Sequence, residues 1–550
     1  MLSDASSIKS AFYDPDMRAA AHTNRNNPAA MHPTELTQTA KTAAVISSAA
    51  LSGAVIGFLL QLIVAYHFGA SAQTDAYFMA SSTSELLSKL LLGGSITAVF
   101  LPIFVEKLLH DRAAAWSAAL NIFHLTAAVF TAVIIGLALA ARPFVTFIAP
   151  GFSPETATLT VTLLRILLPS FLFLFLGELA TSILHALRIF WAPALLRLIA
   201  PTITIFTLLL LLQRFGIGAL ALGTVASAIV QFSFLAWNLR RAGLTYRFVF
   251  SPGDPTIRRI LQLVYPFALS VLVTQGAGIV YRILVSDLSS GSLAALKFAE
   301  KITQLLALMF LNSVIAVIFP TLSHKAAARD FRGMRDTISG AVKLITFITV
   351  PVIAGAVLLH HELISVLYQR GSFSAEDAAM TSSALLFLVL GLTTNGISSI
   401  FGHAVLALQE TRASVAVSIA SQAIAISLFI LLTPPLAHAG LALASSLAPL
   451  AAALLYFLYL TRFIPQLYRV FASATLLKTA GATAIMAAIV STLQRTVYRL
   501  NPPAAAASVL ALTIPLGAAV FFALAYWWHI PEVRDVAALA RKKWSSFRHR

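Results

Sequence analysis

The 550-residue chain has no cysteine, so it can form neither a disulfide nor a thiolate metal site. Charge is scarce too: 11% of the residues are Asp, Glu, Lys or Arg, against about 25% in soluble domains. Acids are the scarcer sign, 21 against 38 basic residues, which leaves a net charge of +17. That excess does not indicate nucleic acid as a partner. It is gathered in alternate loops between apolar runs, which is a topology signal. No nucleophile elbow, phosphate-binding glycine loop or paired-acid motif is present. The "HHE" at His360–Glu362 is too compact for a zinc helix, whose ligands need i,i+4 spacing, and is read as a membrane boundary. The pattern predicts neither an enzyme nor a cofactor. The first 41 residues carry Pro15, Pro28 and Pro33 and lack an apolar core. They are not a signal peptide and are expected to be a disordered cytoplasmic tail.

What the chain has is apolar length. Hydrophobic residues make up 59%, and runs of about 20 recur from Thr42 to Ile530, each sufficient to cross a hydrocarbon core about 30 Å thick. A membrane barrel would show shorter alternating segments. The reading is an all-α polytopic membrane protein with fourteen spans, at 42–67, 75–105, 115–141, 158–187, 192–213, 216–238, 260–287, 293–322, 336–360, 377–407, 413–433, 438–461, 471–493 and 504–530. One set of loops holds Lys107, Arg112, Arg188, Arg240, Arg241, Lys325 and Arg329 among others, whereas the opposite set has only Arg142, Arg214, Arg370, Arg495 and Arg499. This bias places both termini in the cytoplasm.

The chain repeats itself. "GFSPETATLT" from Gly151 returns as "SFSAEDAAMT" from Ser372, and "VFLPIF" around Pro102 returns as "VIFPTL" around Pro320. Six spans fill the interval, so the copies keep one orientation. Two parallel six-helix bundles plus two C-terminal helices follow, which is a transporter architecture. The expected division is a tail at 1–41, a first bundle at 42–238, a cytoplasmic linker at 239–259, a second bundle at 260–461, helices 13 and 14 at 462–530, and a basic cytoplasmic tail at 531–550.

Charges inside spans are costly and mark function by default. The basic ones are Lys89, Arg165, Arg197, Arg282, Lys297, Lys301, Lys343 and Lys478; the acids are Glu85, Glu178 and Glu300. Lys297, Lys343 and Arg165 are read as snorkelling from helix ends. Lys89 sits near mid-span, with Ser81, Glu85 and Ser88 on its face and Phe78, Leu86 and Leu90 opposite, so span 2 presents a polar face to a cavity. The alternative is an interhelix ion pair without a ligand. Arg282 and Lys301 lie in the repeat counterparts of spans 1 and 2. Lys89, Arg282 and Lys301 are the candidate substrate cations, suited to a phosphate or pyrophosphate. Glu85, Ser88, Asp75, Glu300 and Arg197 are the candidate cavity-polar or gating residues. Prolines 102, 169, 201, 266, 320, 351 and 515 lie inside spans and can kink them.

The stretch "FGASAQTDAYFMA" (68–80) resembles the MurJ/MviN lipid II flippase family of the multidrug/oligosaccharidyl-lipid/polysaccharide exporter superfamily. Further similarity lies in "SSGSLAALKFAEKI" (289–302), "FPTLSHKAA" (319–327), "LYQRGSFSAEDAAMT" (367–381) and "ALQETRASV" (407–415). The family carries arginines on span 1, where "SGAVIGFLLQLIVAYHFGA" has none. Lys301 takes the place of a family arginine, and Glu300 that of an aspartate. The resemblance implies a flippase that moves a polyprenyl-pyrophosphate-linked glycan across the bacterial inner membrane, with coupling to an ion gradient or the membrane potential. Export of another lipid-linked polysaccharide unit, cation-coupled drug efflux and a non-transporting envelope scaffold remain alternatives. The C-terminal "RKKWSSFRHR" is expected on anionic membrane lipids. Nothing in the pattern sets an oligomeric state.

Overall fold

The computed structural model describes residues 33–92, 95–254, 275–471, 473–500 and 505–533. Every long element among them is an α-helix. The first half comprises α1 (Pro33–Phe68), α2 (Ala72–Leu92), α3 (Ser95–His110), α4 (Arg112–Leu139), α5 (Ala141–Ile148), α6 (Pro154–Ala186), α7 (Trp191–Phe215) and α8 (Gly218–Arg241). The second comprises α9 (Gly276–Ser286), α10 (Ser292–Phe310), α11 (Asn312–Ala327), α12 (Phe331–Leu358), α13 (His360–Tyr368), α14 (Ala375–Ala407) and α15 (Thr411–Leu460). Two more helices, α16 (Ala474–Leu500) and α17 (Ala505–Trp527), follow a short 3-10 turn.

Among the described residues, ten helices are long and apolar enough to cross a membrane. The 50-residue α15 is two spans, because Ala437 breaks the helix with φ 50° just after Pro434 and Pro435. Spans 2 and 8 are each built from two consecutive helices, α2 with α3 and α10 with α11. Span 7 is described only in its last part, α9.

Several expectations change. Helix α1 begins at Pro33, so residues 33–41 of the expected disordered tail are helical. Proline is tolerated in a first helical turn, where its missing N–H has no intrahelical partner. The described part of the expected linker is docked on α4. Asn121 on α4 pairs with both the N–H and C=O of Ser251 at 2.8 and 2.9 Å, and Arg112 donates to the Ala242 carbonyl at 2.8 Å. Residues 255–274, which include Pro266, lie outside the described residues, as does most of the basic C-terminal tail. The start of that tail folds inward, with Glu532 buried just after the buried Ile530. Two short helices, α5 and α13, were not expected. The "HHE" opens α13. There Glu362 is buried and accepts from Gln494 Nε2 at 2.7 Å and Tyr498 Oη at 2.8 Å on α16. Glu362→Ala strands both donors. Its expected cost is roughly 1–3 kcal/mol, read as a lower melting temperature of the purified protein.

Packing divides the chain into two lobes, with α16 and α17 leaning on α12 and α13. At one end the lobes share a single core. An aromatic node crosses it: Phe298 on α10 meets Phe78 on α2 at 5.8 Å, Tyr368 on α13 at 5.3 Å and Phe373 at 5.6 Å between ring centroids. Each such pair contributes about 0.5–1.5 kcal/mol beyond area burial. At the other end each lobe has its own core. Phe100, Phe104, Trp116 and Phe175 form one, and Met334, Phe401, Tyr456 and Leu460 the other. The lobes therefore meet at a seam end and separate toward an open end. Helix direction puts Lys107, Arg112, Arg188, Arg241 and Arg329 at the open end.

Candidate functional site: an interlobe cavity and its seam

The repeated motif builds the seam. Ser153 and Ser374 are the N-caps of α6 and α14, accepting from Thr156 N at 3.2 Å and Asp377 N at 3.1 Å. The turns that lead into them dock across the lobes in a related way. Ser372 N donates to Tyr66 O at 2.8 Å, and Gly151 N donates to Ser286 Oγ at 3.1 Å. Asp377 Oδ2 also accepts from Ala70 N at 3.2 Å. Glycine is required at two of these contacts. Gly371 (φ 63°) has the Tyr66 backbone where a Cβ would stand, and Gly291 (φ 88°) has the Ala70 carbonyl there.

Asp75 closes the seam. Its carboxylate is buried and accepts from Gly291 N at 2.6 Å and Ala294 N at 2.7 Å. An acid of one lobe thus caps the N-terminus of a helix of the other, where free N–H groups and the helix dipole favour negative charge. Asp75 belongs to the seam and not to the cavity wall.

Behind the seam lies a cavity of about 570 Å³ between α2 and helices α9, α10, α14 and α15. Among the described residues, its charged lining is Arg282, Lys297 and Glu300. Amides and hydroxyls, among them Gln275, Gln304, Asn395 and Gln422, supply much of the rest. Such a wall offers donors and acceptors of both kinds to a polar headgroup. Arg282 reaches from α9 to α2: Nη2 donates to Ser82 O at 2.8 Å, Nε to Ser82 Oγ at 3.2 Å, and Nη1 to Gly278 O at 2.7 Å. It is therefore a strut between the lobes as well as a wall residue.

Lys297, expected to snorkel, faces the cavity and pairs with Glu300 Oε2 at 2.8 Å. The seam covers the start of α10, so a residue near that start meets the interlobe cavity and not a membrane interface. Arg165 does sit exposed, donating to Ala138 O at 3.1 Å at the end of α4. Lys301, one turn beyond Lys297, turns toward α1. Its ammonium lies 3.6 Å from where a Gly57 Cβ would stand and has no hydrogen-bond or ion-pair partner among the described residues. Arg197 is exposed on α7, where its backbone supports Gly53 of α1. It does not line this cavity. The cations that flank α1 thus come from its neighbours, since α1 has no arginine of its own.

The side chains of Glu85, Ser88 and Lys89 lie outside the described ones, but their helix positions are set. Phe78, Ser82 and Leu86 of α2 face the second lobe, through Phe298, Arg282 and the cavity respectively. With Asp75 they recur at helical spacing, and Lys89 continues that stripe. This corrects the expected face. Phe78 and Leu86 share the stripe of Lys89, while Ser81 and Ser88 stand roughly a quarter to a third of a turn away. Asn395 and Lys297 were missed as wall residues. The Asn-Gly step at 395–396 carried a signal, because Gly396 packs with its Cβ position 2.9 Å from Ile345 and turns Asn395 inward.

Comparison with known proteins is consistent along the chain. The family model described as lipid II flippase MurJ matches residues 64–502. A probable lipid II flippase MurJ of Rickettsia prowazekii is 24% identical over 397 residues, covering 72% of this chain and 78% of the relative. That of Rhizobium meliloti is 26% identical over 447 residues, covering 78% and 82%. A solved structure of lipid II flippase MurJ in an inward closed conformation aligns with TM-score 0.76 at 23% identity, over 90% of this chain and all of that one. An inward-facing multidrug resistance transporter of the MATE family aligns with TM-score 0.64 at 17% identity, over 78% of this chain. The match to the family model spans most of the polypeptide, and the chain belongs to the lipid II flippase MurJ family.

Proposed function

We propose that this protein moves lipid II, a polyprenyl-pyrophosphate-linked peptidoglycan precursor, from the cytoplasmic to the outer leaflet of the bacterial inner membrane. The observation that carries the reading is a polar, cation-bearing cavity sealed at one end by a backbone-rich seam, between lobes that separate at the other. The basic loops at the open end make that end cytoplasmic, together with both termini. Arg282, Lys301 and Lys89 offset the cost of bringing the pyrophosphate into the membrane. The polyprenyl tail stays in lipid or along α16 and α17. Loading closes the open end, the lobes rock, and the seam parts. The step moves a molecule without making or breaking a bond, so no catalytic group is needed. An ion gradient or the membrane potential drives it.

The test is depletion of the protein followed by mass spectrometry of membrane lipids. Lipid II should accumulate on the cytoplasmic side, and its absence would overturn the reading. Orientation is tested separately, on a chain that has no cysteine of its own. Glu155 at the seam end and Arg247 near the open end are both exposed. Glu155→Cys should react with a membrane-impermeant maleimide in intact cells, and Arg247→Cys only after permeabilisation.

A further inference from the structure

The charged groups on the cavity wall differ in how they are held. Arg282 commits three donors to Ser82 and Gly278 and ties α9 to α2. Among the described residues, the Lys297 ammonium is held only by Glu300, one turn away on the same helix, at 2.8 Å. Both side chains remain about a quarter exposed, at 28% and 25%, on the wall of the cavity. A partly solvated pair of this spacing is weakly bound and easily exchanged. An ammonium has three donors on a flexible stem, so it can leave one acceptor for another.

We propose that Lys297 is a further cavity cation that takes a phosphate of the cargo, beside those named above, and that Glu300 is its resting counter-ion, displaced on loading and re-engaged on release. The proposal rests on the transport reading above and deepens it. Glu300 stands in for the cargo's anion while the cavity is empty. The empty wall then carries one cation fewer in need of compensation, which limits the cost of Lys297 in a confined space. On loading, an anion of higher charge takes the ammonium. On release, the tethered carboxylate returns to it and speeds departure, as transport requires a site weak enough to leave. The exchange also selects: a neutral lipid gains nothing by breaking the pair, so only a charged headgroup profits.

The test uses the full-length protein in nanodiscs, with geranylgeranyl pyrophosphate as the probe and geranylgeraniol as the uncharged control. Glu300→Gln should bind the pyrophosphate about two- to fivefold more tightly, because its competitor is gone, and should release it more slowly. Lys297→Gln should bind it more weakly, and Lys297→Arg should stay near the parent. In the double variant Lys297→Gln, Glu300→Gln, removal of the acid should bring no gain. That non-additivity is the signature of exchange at one cation. Glu300→Ser serves as a second variant should the glutamine form fail to fold. Affinity unchanged or reduced in Glu300→Gln, or an equal gain with and without Lys297, overturns the proposal. Failure of the parent protein to flip lipid II, with this binding pattern intact, would instead overturn the choice of cargo.

Discussion

Asp75→Ala is expected to reduce transport at least about tenfold while leaving the protein in the membrane. Its carboxylate receives two backbone N–H groups of the opposite lobe, at 2.6 and 2.7 Å, in a buried setting. Hydrogen bonds to a charged acceptor contribute about 1.5–3 kcal/mol each. Losing both removes more than the ~1.4 kcal/mol that shifts a two-state population tenfold. The seam must close in every cycle, so a population shift toward the parted state stalls the return. Asp75→Asn keeps an oxygen acceptor without the charge and should retain part of the activity. A second readout separates a parted seam from misfolding. Leu293 is buried behind the seam, and Leu293→Cys should resist an impermeant maleimide added outside. In the Asp75→Ala background that cysteine should become reactive. Normal flux with a protected cysteine would show that Asp75 does not set the seam.

Seam and cavity differ in how far the sequence revealed them. The spans were legible because apolar length and loop charge are one-dimensional signals. The repeated Phe-Ser motif was legible as a repeat but not as what it builds. Ser153 and Ser374 are helix caps, and their turns meet the other lobe through backbone atoms. Backbone contacts leave little trace in a sequence beyond a glycine such as Gly291 or Gly371. The same limit explains Lys297 and Lys301. Both are lysines on one helix, a turn apart, and sequence does not say which one faces the cavity. The rotation of α10 against α1 decides it: Gly57 lets Lys301 approach α1, and Lys297 turns to Glu300 and the cavity. The polar face assigned to α2 was displaced for a related reason. Its apolar members, buried Leu86 and half-buried Phe78, pack toward the second lobe, so hydrophobicity there marks the interlobe face and not the lipid face.

That displacement sharpens the expectation for Lys89. Its position continues the stripe of Ser82 and Leu86 on α2, which faces the cavity, and the same stripe begins at Asp75 in the seam. A cation on this line lies toward the open end from Arg282, where an entering headgroup would pass before reaching Lys297. Lys89→Ala is expected to abolish lipid II transport with normal insertion. Lys89→Arg should keep at least part of it, because charge is retained while geometry changes. The competing account is an ion pair with Glu85, since Glu before Lys at i,i+4 is the favourable order on a helix. Under that account the single loss strands a carboxylate, and removing both charges repairs the defect. Glu85→Gln combined with Lys89→Gln separates the two. If Lys89 meets the cargo, the double variant stays inactive, because the pyrophosphate has lost a partner that Glu85 cannot replace. Flux near the parent level in that double variant would reduce Lys89 to a structural ion pair and leave the headgroup to Arg282, Lys297 and Lys301.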